Sequence, residues 1–428
     1  MNEEGTGVDE LVLELVLKDD MNVKLEIFKK ILRLAEKRGI FFASIHPLYR
    51  ARGRGDFGAA ACAAGFTVPA INLRTLTYDL ARAIFRVAKR NRAGAFIFEI
   101  ARSEIGYTMQ PPIEYSGVCM AAAIKEEWRG PIFIQGDHFQ INAKNYRQNP
   151  RKETELLNSL IREALAAGFY NIDIDSSTLV DLSKEGTKEQ QKLNYTLCAA
   201  FTTFIRSLQP NGIVVSVGGE IGEIGDTNST PEELMGFMDG YREALSPSLE
   251  GISKISVQTG TSHGGVVLPD GSIAQVKLDF DTLATLSQLA RDKYGLAGAV
   301  QHGASTLPED VFHKLAEIET AEIHLATLFQ NIVYDSDYFP QELKRRMYAW
   351  LKEKHGKERK EGQTEEQFIY KTRKKALGAF KKEIMGLQGE TKKAIGNELE
   401  EKFEFLFKQL RVVKTKELVE RYINQDSG

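Results

Sequence analysis

The sequence predicts an α/β protein, a (β/α)8 TIM barrel with N-terminal helices and a C-terminal helical appendage, on three observations. From Phe66 onward, short β-branched and aromatic runs alternate with longer stretches of helical spacing, which is typical of βα units and a parallel sheet. Eight such units occupy about 260 residues, which is close to the usual size of this barrel. Polar or glycine-rich residues follow almost every predicted strand, as expected if the strand ends form the working face.

The eight predicted strands are residues 66–73, 93–101, 131–137, 170–177, 212–220, 252–260, 296–302 and 321–327. Several of the helical stretches between them begin with capping chemistry. In Ser229-Thr230-Pro231 a hydroxyl can cap the first turn, and proline fits inside that turn. These caps support the alternation of strands and helices.

Helical patterns flank the predicted barrel on both sides. Residues 8–17 and 25–38 show apolar spacings of three and four, and beyond Asp337 the chain is rich in Lys and Glu with few glycines. We expect the charge runs of this last region to be solvated faces, and its apolar stripes to pack on the barrel or on another subunit. The predicted division is an N-terminal helical segment and loop (1–65), a catalytic barrel (66–336) and a C-terminal helical region (337–428).

Composition excludes several classes of function. The formal net charge is -3, from 56 basic and 59 acidic residues that are well mixed, so no global field favours nucleic acid or an anionic membrane. No run reaches the roughly 18 apolar residues that a bilayer span needs, and a cytoplasmic protein is expected. Cys62, Cys119 and Cys198 are too far apart for a disulfide scaffold or a thiolate metal site.

Three arginines alternate with glycine and alanine before the first barrel strand, at Arg50, Arg52 and Arg54. The simpler interpretation is a solvated surface loop. The functional alternative is phosphate recruitment, because guanidinium groups form forked hydrogen bonds to phosphate oxygens.

Three of the seven histidines stand at the ends of predicted strands three, six and seven: His138, His263 and His302. In a barrel these ends converge on one mouth, so ligands that are remote in sequence can meet at one ion. Three neutral imidazoles with an open fourth position suit a catalytic Zn²⁺ or a similar divalent cation. A single strand-end histidine would more often be structural, but the triple coincidence favours a metal site.

Glycine-rich turns follow two of these histidines. His263 precedes Gly264 and Gly265, and His302 precedes the run Gly303-Ala304-Ser305-Thr306. Backbone amides and hydroxyls in such turns can approach a phosphate closely, although turns without a ligand also use glycine. Beside metal-type histidines, we favour phosphate binding.

Acidic residues cluster on strands four and five. Glu220 ends strand five and could orient a metal-bound histidine or be an alternative ligand, while Glu223 and Asp226 in the following loop could supply a mobile acid or base. All three could instead be solvated loop residues. Asp173 and Asp175 alternate with isoleucines and point to the barrel interior, where we expect Asp175 to contact the site and Asp173 to be structural.

These elements together resemble the class II, metal-dependent fructose-bisphosphate and tagatose-bisphosphate aldolases. The matching elements follow the family's order between about Phe66 and Gln330. They are AINLRTL at the first strand, GDH at residues 136–138, DIDSS at 173–177, GGEIGEIG at 218–225, TSHGG at 261–265 and QHGAS at 301–305.

The resemblance implies a Zn²⁺ or other divalent ion bound by His138, His263 and His302, and it leaves room for a monovalent cation. It implies that Asp137 transfers the proton at the C4 hydroxyl and that a triose-phosphate group is held by Gly264, Gly303 and Ser305. We add Glu220 to the catalytic residues. The remaining expected substrate contacts are Asn72, Thr306, His324 and Thr327.

The expected activity is reversible cleavage of a phosphorylated ketose, foremost fructose 1,6-bisphosphate, to dihydroxyacetone phosphate and glyceraldehyde 3-phosphate. Such an enzyme would act in glycolysis and gluconeogenesis, as a homo-oligomer. Its alternatives are a tagatose-bisphosphate or other ketose-phosphate aldolase, a non-catalytic aldolase-like accessory subunit, and a metal-dependent hydrolase.

The chain departs from the family's pattern at strand eight. The family has N-x-D-T-D there, whereas this chain has His324-Leu325-Ala326-Thr327-Leu328 and lacks both carboxylates. Thr227 and Asn228 fall near the positions of the acidic pair that usually follows E-x-G-x-x-G. No basic residue matches the family's second-phosphate arginine, so a divergent branch is indicated.

Overall fold

The computed structural model describes residues 7–57, 65–221, 227–260, 267–269, 274 and 278–423. Its described strands are β1 Ile40–Phe42, β2 Val68–Asn72, β3 Ile97–Ala101, β4 Gly130–Ile132, β5 Ile134–Gln140, β6 Asn171–Asp175, β7 Ser216–Glu220, β8 Lys254–Val257, β9 Ala299–Gln301 and β10 Glu322–Leu325. Eight of them close a parallel barrel in the order β10-β2-β3-β5-β6-β7-β8-β9. The predicted (β/α)8 barrel is confirmed, and each predicted strand overlaps one barrel strand.

The barrel strands are buried on both faces, as their β-branched and aromatic residues require. Every residue of β2 and β3 is buried, because side chains fill the interior and helices cover the outside. The predicted strand 131–137 differs in detail. It divides at Phe133 into β5 and the short β4, which pairs with β1 in a separate parallel sheet that the sequence did not predict.

Helices surround the barrel in the expected alternation. They are Val8–Leu17, Met21–Glu36, His46–Gly53, Thr77–Asn91, Arg102–Thr108, Pro112–Lys125, Ala143–Gln148, Pro150–Ala166, Thr187–Gln190, Lys192–Leu208, Pro231–Ala244, Phe280–Tyr294, Phe312–Glu317, Thr327–Asp335, Gln341–His355, Glu365–Thr372, Ala376–Ala379, Lys381–Met385, Gly389–Gln409 and Lys416–Ile423. The expected cap is present, since Thr230 Oγ1 accepts from the Glu233 amide (3.2 Å) while Glu233 accepts from the Thr230 amide (2.7 Å). None of these helices is long and apolar enough to cross a bilayer.

The N-terminal helices pack on the barrel through helix Pro112–Lys125. A Cβ at Gly117 would lie 2.7 Å from Leu15 and 3.0 Å from Phe28, so glycine lets the three helices approach closely. A buried ion pair joins Lys24 and Glu114 (2.7 Å) at the same contact. The N-terminal segment therefore shares the barrel's core.

The C-terminal helices also pack on the barrel, which is one of the two placements that we expected for their apolar stripes. Phe403 and Phe407 of helix Gly389–Gln409 are buried in the common core. Beyond that helix, the Leu410 carbonyl accepts from the Thr67 amide (3.0 Å), and Thr415 Oγ1 accepts from the amides before β3. The end of the described chain thus covers the amino-terminal side of β2 and β3.

The arginine-rich stretch before the barrel is helix His46–Gly53 rather than a loop, and it lies at the amino-terminal end of the strands. Arg52 donates to the carbonyls of Phe66 (2.7 Å) and Glu319 (2.9 Å) and stacks over the Phe66 ring. Arg50 pairs with Glu250 (2.9 Å). The phosphate-recruitment interpretation was wrong, because this helix is at the opposite end of the barrel from the carboxyl ends of the strands.

Candidate active site

A cavity of about 980 Å³ opens at the carboxyl ends of the barrel strands. It is large enough for a small sugar phosphate. The predicted site residues that line it are Asp137, His138, Asp175, Glu220, His302, Gly303, Ser305, His324 and Thr327. Side chains that lie up to 190 positions apart in the chain are thus brought to one mouth, as the barrel prediction required.

A bulge in β5 brings two consecutive side chains to this cavity. Successive residues of a regular strand point to opposite faces, so Asp137 and His138 could not both face the mouth. The register with β6 shifts between Gly136 and Phe139, and His138 has a φ of 38°. The extra residue turns both side chains toward the cavity, as bulges beside active sites commonly do.

Asp175 orients the imidazole of His138. His138 donates from Nδ1 to Asp175 Oδ2 (3.0 Å), and Asp175 also accepts from Gln140 and Ser177. A carboxylate that accepts from one ring nitrogen fixes the tautomer whose other nitrogen, Nε2, can bind a metal. The predicted contact of Asp175 with the site is present, and Asp175 has the orienting position that we had considered for Glu220.

Glu220 instead lies among groups of the ligand type. Its Oε2 is 3.5 Å from His302 Nε2 and 3.9 Å from His138 Nδ1. The ring centroids of His138 and His302 are 4.2 Å apart, and those of His302 and His324 are 4.1 Å apart. Ligand atoms of His138, Glu220 and His302 all lie within 4.8 Å of one another, which is close enough to share one ion.

Part of the predicted site falls outside the described residues. These positions are the proposed metal ligand His263, the proposed phosphate contact Gly264, and the candidate acids Glu223 and Asp226. Their roles stay predictions.

The electrostatics of the site suit a bound cation. We call Asp137, His138, Glu220 and His302 the mouth cluster. Burial by itself would lower the pKa of His138, but the charge of Asp137, the bond to Asp175 and the charge of Glu220 raise that pKa well above its usual value. Carboxylates that hold a proton on a buried imidazole would equally stabilise a divalent cation, and the mixture of imidazole and carboxylate donors fits Zn²⁺.

His324 connects the mouth cluster to a second group of charges deeper in the barrel. Its Nδ1 lies 3.1 Å from Asp137 Oδ1, and its Nε2 lies 2.8 Å from Glu322 Oε1. Because an imidazole with a carboxylate on each side is held in position from both, His324 fixes the orientation of Asp137. We call the deeper group the basal cluster; it consists of Tyr49, Gln135, Asp173, Lys254 and Glu322.

The predicted phosphate elements follow β9. Gly303 has a φ of 69°, which favours glycine, and it precedes a short 3-10 helix, Ala304–Thr306. Ser305 Oγ accepts from the Ala326 amide (3.0 Å), and the hydroxyl of Ser305 lines the cavity. Of the other predicted contacts, Thr306 is not among the residues that line the cavity.

Asn72 is also not brought to the cavity. It is only 1% exposed, and its Nδ2 donates to Glu104 (2.5 Å). The prediction of a substrate contact for Asn72 was therefore wrong in geometry, because helix Arg102–Thr108 lies over the end of β2 and places Glu104 between Asn72 and the cavity.

Basic residues that the sequence did not reveal also line the cavity: Arg74, Arg102, Lys371 and Lys374. Arg74 lies two positions after β2 and Arg102 directly follows β3, so the strand-end rule could have found both. Lys371 and Lys374 belong to the C-terminal helical region, and only the tertiary fold brings them here. Lys371 is exposed, as expected for the charges of that region, whereas Lys374 is half-buried.

The fold and the site together define a (β/α)8-barrel protein with an imidazole and carboxylate centre at the carboxyl ends of its strands. The model of the class-II fructose-bisphosphate aldolase family matches residues 56–393, and the chain belongs to this family. The match extends beyond Gln330, so part of the C-terminal helical region that we had placed outside the family lies within it. No curated protein sequence matches the chain significantly.

Solved structures with the same fold have low sequence identity. A probable tagatose 6 phosphate kinase from Sinorhizobium meliloti shares 15% identity over 83% of this chain and 99% of that chain, with a TM-score of 0.56. A fructose-bisphosphate aldolase from Campylobacter jejuni shares 17% identity over 88% of this chain and 97% of that chain, with a TM-score of 0.51. A fructuronate-tagaturonate epimerase from Cohnella laeviribosi shares 13% identity over 97% of this chain and 90% of that chain, with a TM-score of 0.53.

Proposed function

We propose that the protein is a metal-dependent aldolase that reversibly cleaves a phosphorylated ketose, foremost fructose 1,6-bisphosphate, to dihydroxyacetone phosphate and glyceraldehyde 3-phosphate. The observation that carries the proposal is the position of Asp137. This carboxylate lies beside the donor set of His138, Glu220 and His302, in a cavity that fits a sugar phosphate. Membership of the class-II aldolase family supports the same reaction type.

The residues that would hold the metal are His138 and His302, with Glu220 beside them and with His263 as the third predicted histidine. A divalent cation such as Zn²⁺ supplies Lewis-acid stabilisation of the negative charge that develops on the C2 oxygen when the C3–C4 bond breaks. Asp175 contributes by holding His138 in its binding orientation (3.0 Å).

The chain's own residues move the proton and hold the substrate. Asp137 removes the proton of the C4 hydroxyl during cleavage and returns it during condensation. His324 keeps Asp137 Oδ1 in place through the contact at 3.1 Å. The hydroxyl of Ser305 and the backbone at Gly303 bind the triose-phosphate group at the other side of the mouth.

His302→Ala tests the metal and the reaction together. We expect the purified variant to lose both its bound metal, measured by elemental analysis, and its cleavage of fructose 1,6-bisphosphate, measured by coupled detection of the two trioses. His355→Ala is the matched control, because His355 does not line the cavity and instead contacts Glu358 and the Trp350 ring. Full activity in metal-free protein would refute the proposal.

The same assay separates the alternatives. Relative rates with fructose and tagatose bisphosphates identify the preferred ketose. An accessory subunit would bind no substrate and show no activity as a single purified chain, and a hydrolase would release inorganic phosphate instead of a triose. Fructuronate and tagaturonate belong in the panel because of the epimerase among the structural relatives. A cytoplasmic homo-oligomer acting in glycolysis and gluconeogenesis completes the proposal.

A further inference from the structure

One wall of the cavity comes from the C-terminal helical region. Helix Glu365–Thr372 and the 3-10 turn that follows it supply Tyr370, Lys371 and Lys374 to the cavity lining. Asn331 donates to the Tyr370 hydroxyl (3.0 Å), and a Cβ at Gly378 would lie 2.4 Å from the Tyr107 carbonyl. These contacts hold the wall against the helices that follow β10 and β3.

The two lysines of this wall differ from the other cations around them. Arg373 pairs with Asp335 (3.0 Å), Lys375 pairs with Glu358 (2.5 Å), and Lys381 pairs with Glu114. Lys371 and Lys374 form neither an ion pair nor a hydrogen bond within the part of the chain that the structure describes. Of the five cations at Lys371, Arg373, Lys374, Lys375 and Lys381, the two without an ion pair to a described residue are thus the two that line the cavity.

The surroundings of Lys374 leave its charge uncompensated. Burial and the nearby charge of Arg74 lower the pKa of Lys374. The charge of Glu104 acts in the opposite direction, but Glu104 is paired with Arg74 (2.6 Å), so little of its negative charge remains for Lys374. The Tyr107 ring lies 5.6 Å from Lys374 Nζ, a contact that contributes about 0.5–1 kcal/mol but cancels no charge. A bound anion would supply the counter-charge that the described residues do not supply to Lys374.

Charge is therefore divided across the cavity. Carboxylates concentrate around the mouth cluster, whereas two unpaired ammonium groups stand on the wall formed by the C-terminal region. A ligand that places its hydroxyl and carbonyl oxygens beside Asp137 and an anionic group beside the lysines would match both sides.

We propose that Lys371 and Lys374 form an anion subsite for the phosphate or carboxylate at the end of the sugar remote from the Gly303 and Ser305 phosphate elements. The subsite rests on the proposed function, and it makes the C-terminal helical region part of the substrate site. It also supplies a contact for the second anion of the substrate, for which the sequence motifs offered no basic residue. The ammonium groups act as point charges, so they accept either anion.

Binding of non-cleavable ligands tests the subsite by calorimetry on the full chain. The probes are hexitol 1,6-bisphosphate, with two phosphates; 6-phosphogluconate, with one phosphate and one carboxylate; and hexitol 1-phosphate, which carries only the phosphate that Gly303 and Ser305 would bind. The variants are Lys371→Met, Lys374→Met and their combination. Lys375→Met is the matched control, since Lys375 is paired with Glu358 and does not line the cavity.

We expect the double variant to bind the preferred two-anion probe about 10- to 100-fold more weakly, the range for lost hydrogen bonds to charged groups. Binding of hexitol 1-phosphate should change by less than about 3-fold. Whether the bisphosphate or 6-phosphogluconate loses more affinity identifies the anion, and Lys374→Arg should retain most of the binding. Equal losses for all three probes, no loss, or an equal loss in Lys375→Met would overturn the subsite.

A kinetic comparison separates failure of the subsite from failure of the proposed function. If the subsite is correct, the double variant lowers kcat/KM for fructose 1,6-bisphosphate more than for fructose 1-phosphate. If the double variant cleaves both ketoses and the ratio of their kcat/KM values is unchanged, the subsite is refuted and the aldolase proposal stands. Lysine-dependent binding of a two-anion probe, in a protein that cleaves no ketose phosphate, refutes the aldolase proposal and leaves the subsite standing.

Discussion

The barrel interior contains two groups of charged side chains that differ in their access to the cavity. In the basal cluster, Lys254 is 0% exposed and donates to Gln135 (2.7 Å), Asp173 (3.0 Å) and Glu322 (2.6 Å). In the mouth cluster, imidazoles and carboxylates line the cavity, with His324 beside Asp137 (3.1 Å) and His302 beside Glu220 (3.5 Å). The first group is closed and the second is open to a ligand.

The difference shows that buried charges mark a ligand site where they line a cavity, and not where they neutralise one another inside the barrel. Burial alone would lower the pKa of Lys254 and raise that of Glu322. Their attraction reverses both, so that the pKa of Lys254 is raised and that of Glu322 is lowered to about 2. Asp173, which we expected to be structural, pairs with Lys254 in this same closed group.

The largest expected effect is the loss of the basal cation. Lys254→Met leaves Asp173 and Glu322 buried without a counter-charge, and we expect the free energy of unfolding to fall by about 3–5 kcal/mol. Denaturant unfolding of the purified chain measures this loss. Lys29→Met is the control, because Lys29 is exposed and pairs only with Glu26, and it should cost less than about 0.5 kcal/mol. A similar small cost for Lys254→Met would remove the distinction between the two clusters.

The matching change at the mouth affects catalysis instead of stability. Asp137→Asn keeps the shape but removes the acid/base group, so kcat for aldol cleavage should fall by about 10²-fold or more. Metal content and the unfolding midpoint should remain close to those of the parent chain. Loss of metal along with activity would instead make Asp137 a ligand.

Glu99 lies between the two clusters, and it makes the free energy of unfolding depend on pH. Burial raises the pKa of Glu99 from the usual 4.5 to about 8. The folded protein then holds a proton that the unfolded chain has released between these two pH values, so stability falls as pH rises through this window. The slope is at most about 1.4 kcal/mol per pH unit for one proton. Glu99→Gln should flatten this decline in unfolding curves measured from pH 5 to 8.5; an unchanged slope would assign it to other groups.

The smallest effect is expected at the opposite end of the barrel. Arg52→Met removes the hydrogen bonds to the carbonyls of Phe66, Glu319 and Thr320 and the stacking on Phe66, with a cost of about 1–2 kcal/mol in stability. KM for a sugar phosphate should not change, because Arg52 is remote from the cavity. A raised KM would revive the phosphate interpretation of the arginine-rich stretch.

The barrel could be predicted because its signal is local and repeated. Each strand is a short β-branched run, and each run must be buried on both faces, so eight of them specify a closed sheet. The separate β1–β4 sheet was missed, since three residues such as Ile40–Phe42 carry too little periodicity to be distinguished from a loop.

The site could be predicted only where strand ends define it. Asp137, His138 and His302 follow from the barrel, because strand ends meet at one mouth. The bulge that turns His138 beside Asp137 depends on the pairing with β6, which no local pattern reveals. Asn72 was misplaced because Glu104 of a neighbouring helix covers it, and Lys371 and Lys374 could not be found because a long helical excursion brings them back to the mouth.

The attachment of the C-terminal segment also has a consequence for synthesis of the protein. Amides that precede β2 and β3 are satisfied only by Leu410 and Thr415 among the described residues, and Phe407 packs on Phe96 between them. A ribosome makes these residues after every strand of the barrel. The nascent barrel therefore lacks these partners for its backbone donors and for Phe96 until translation passes Thr415, and exposed surface of this kind favours aggregation.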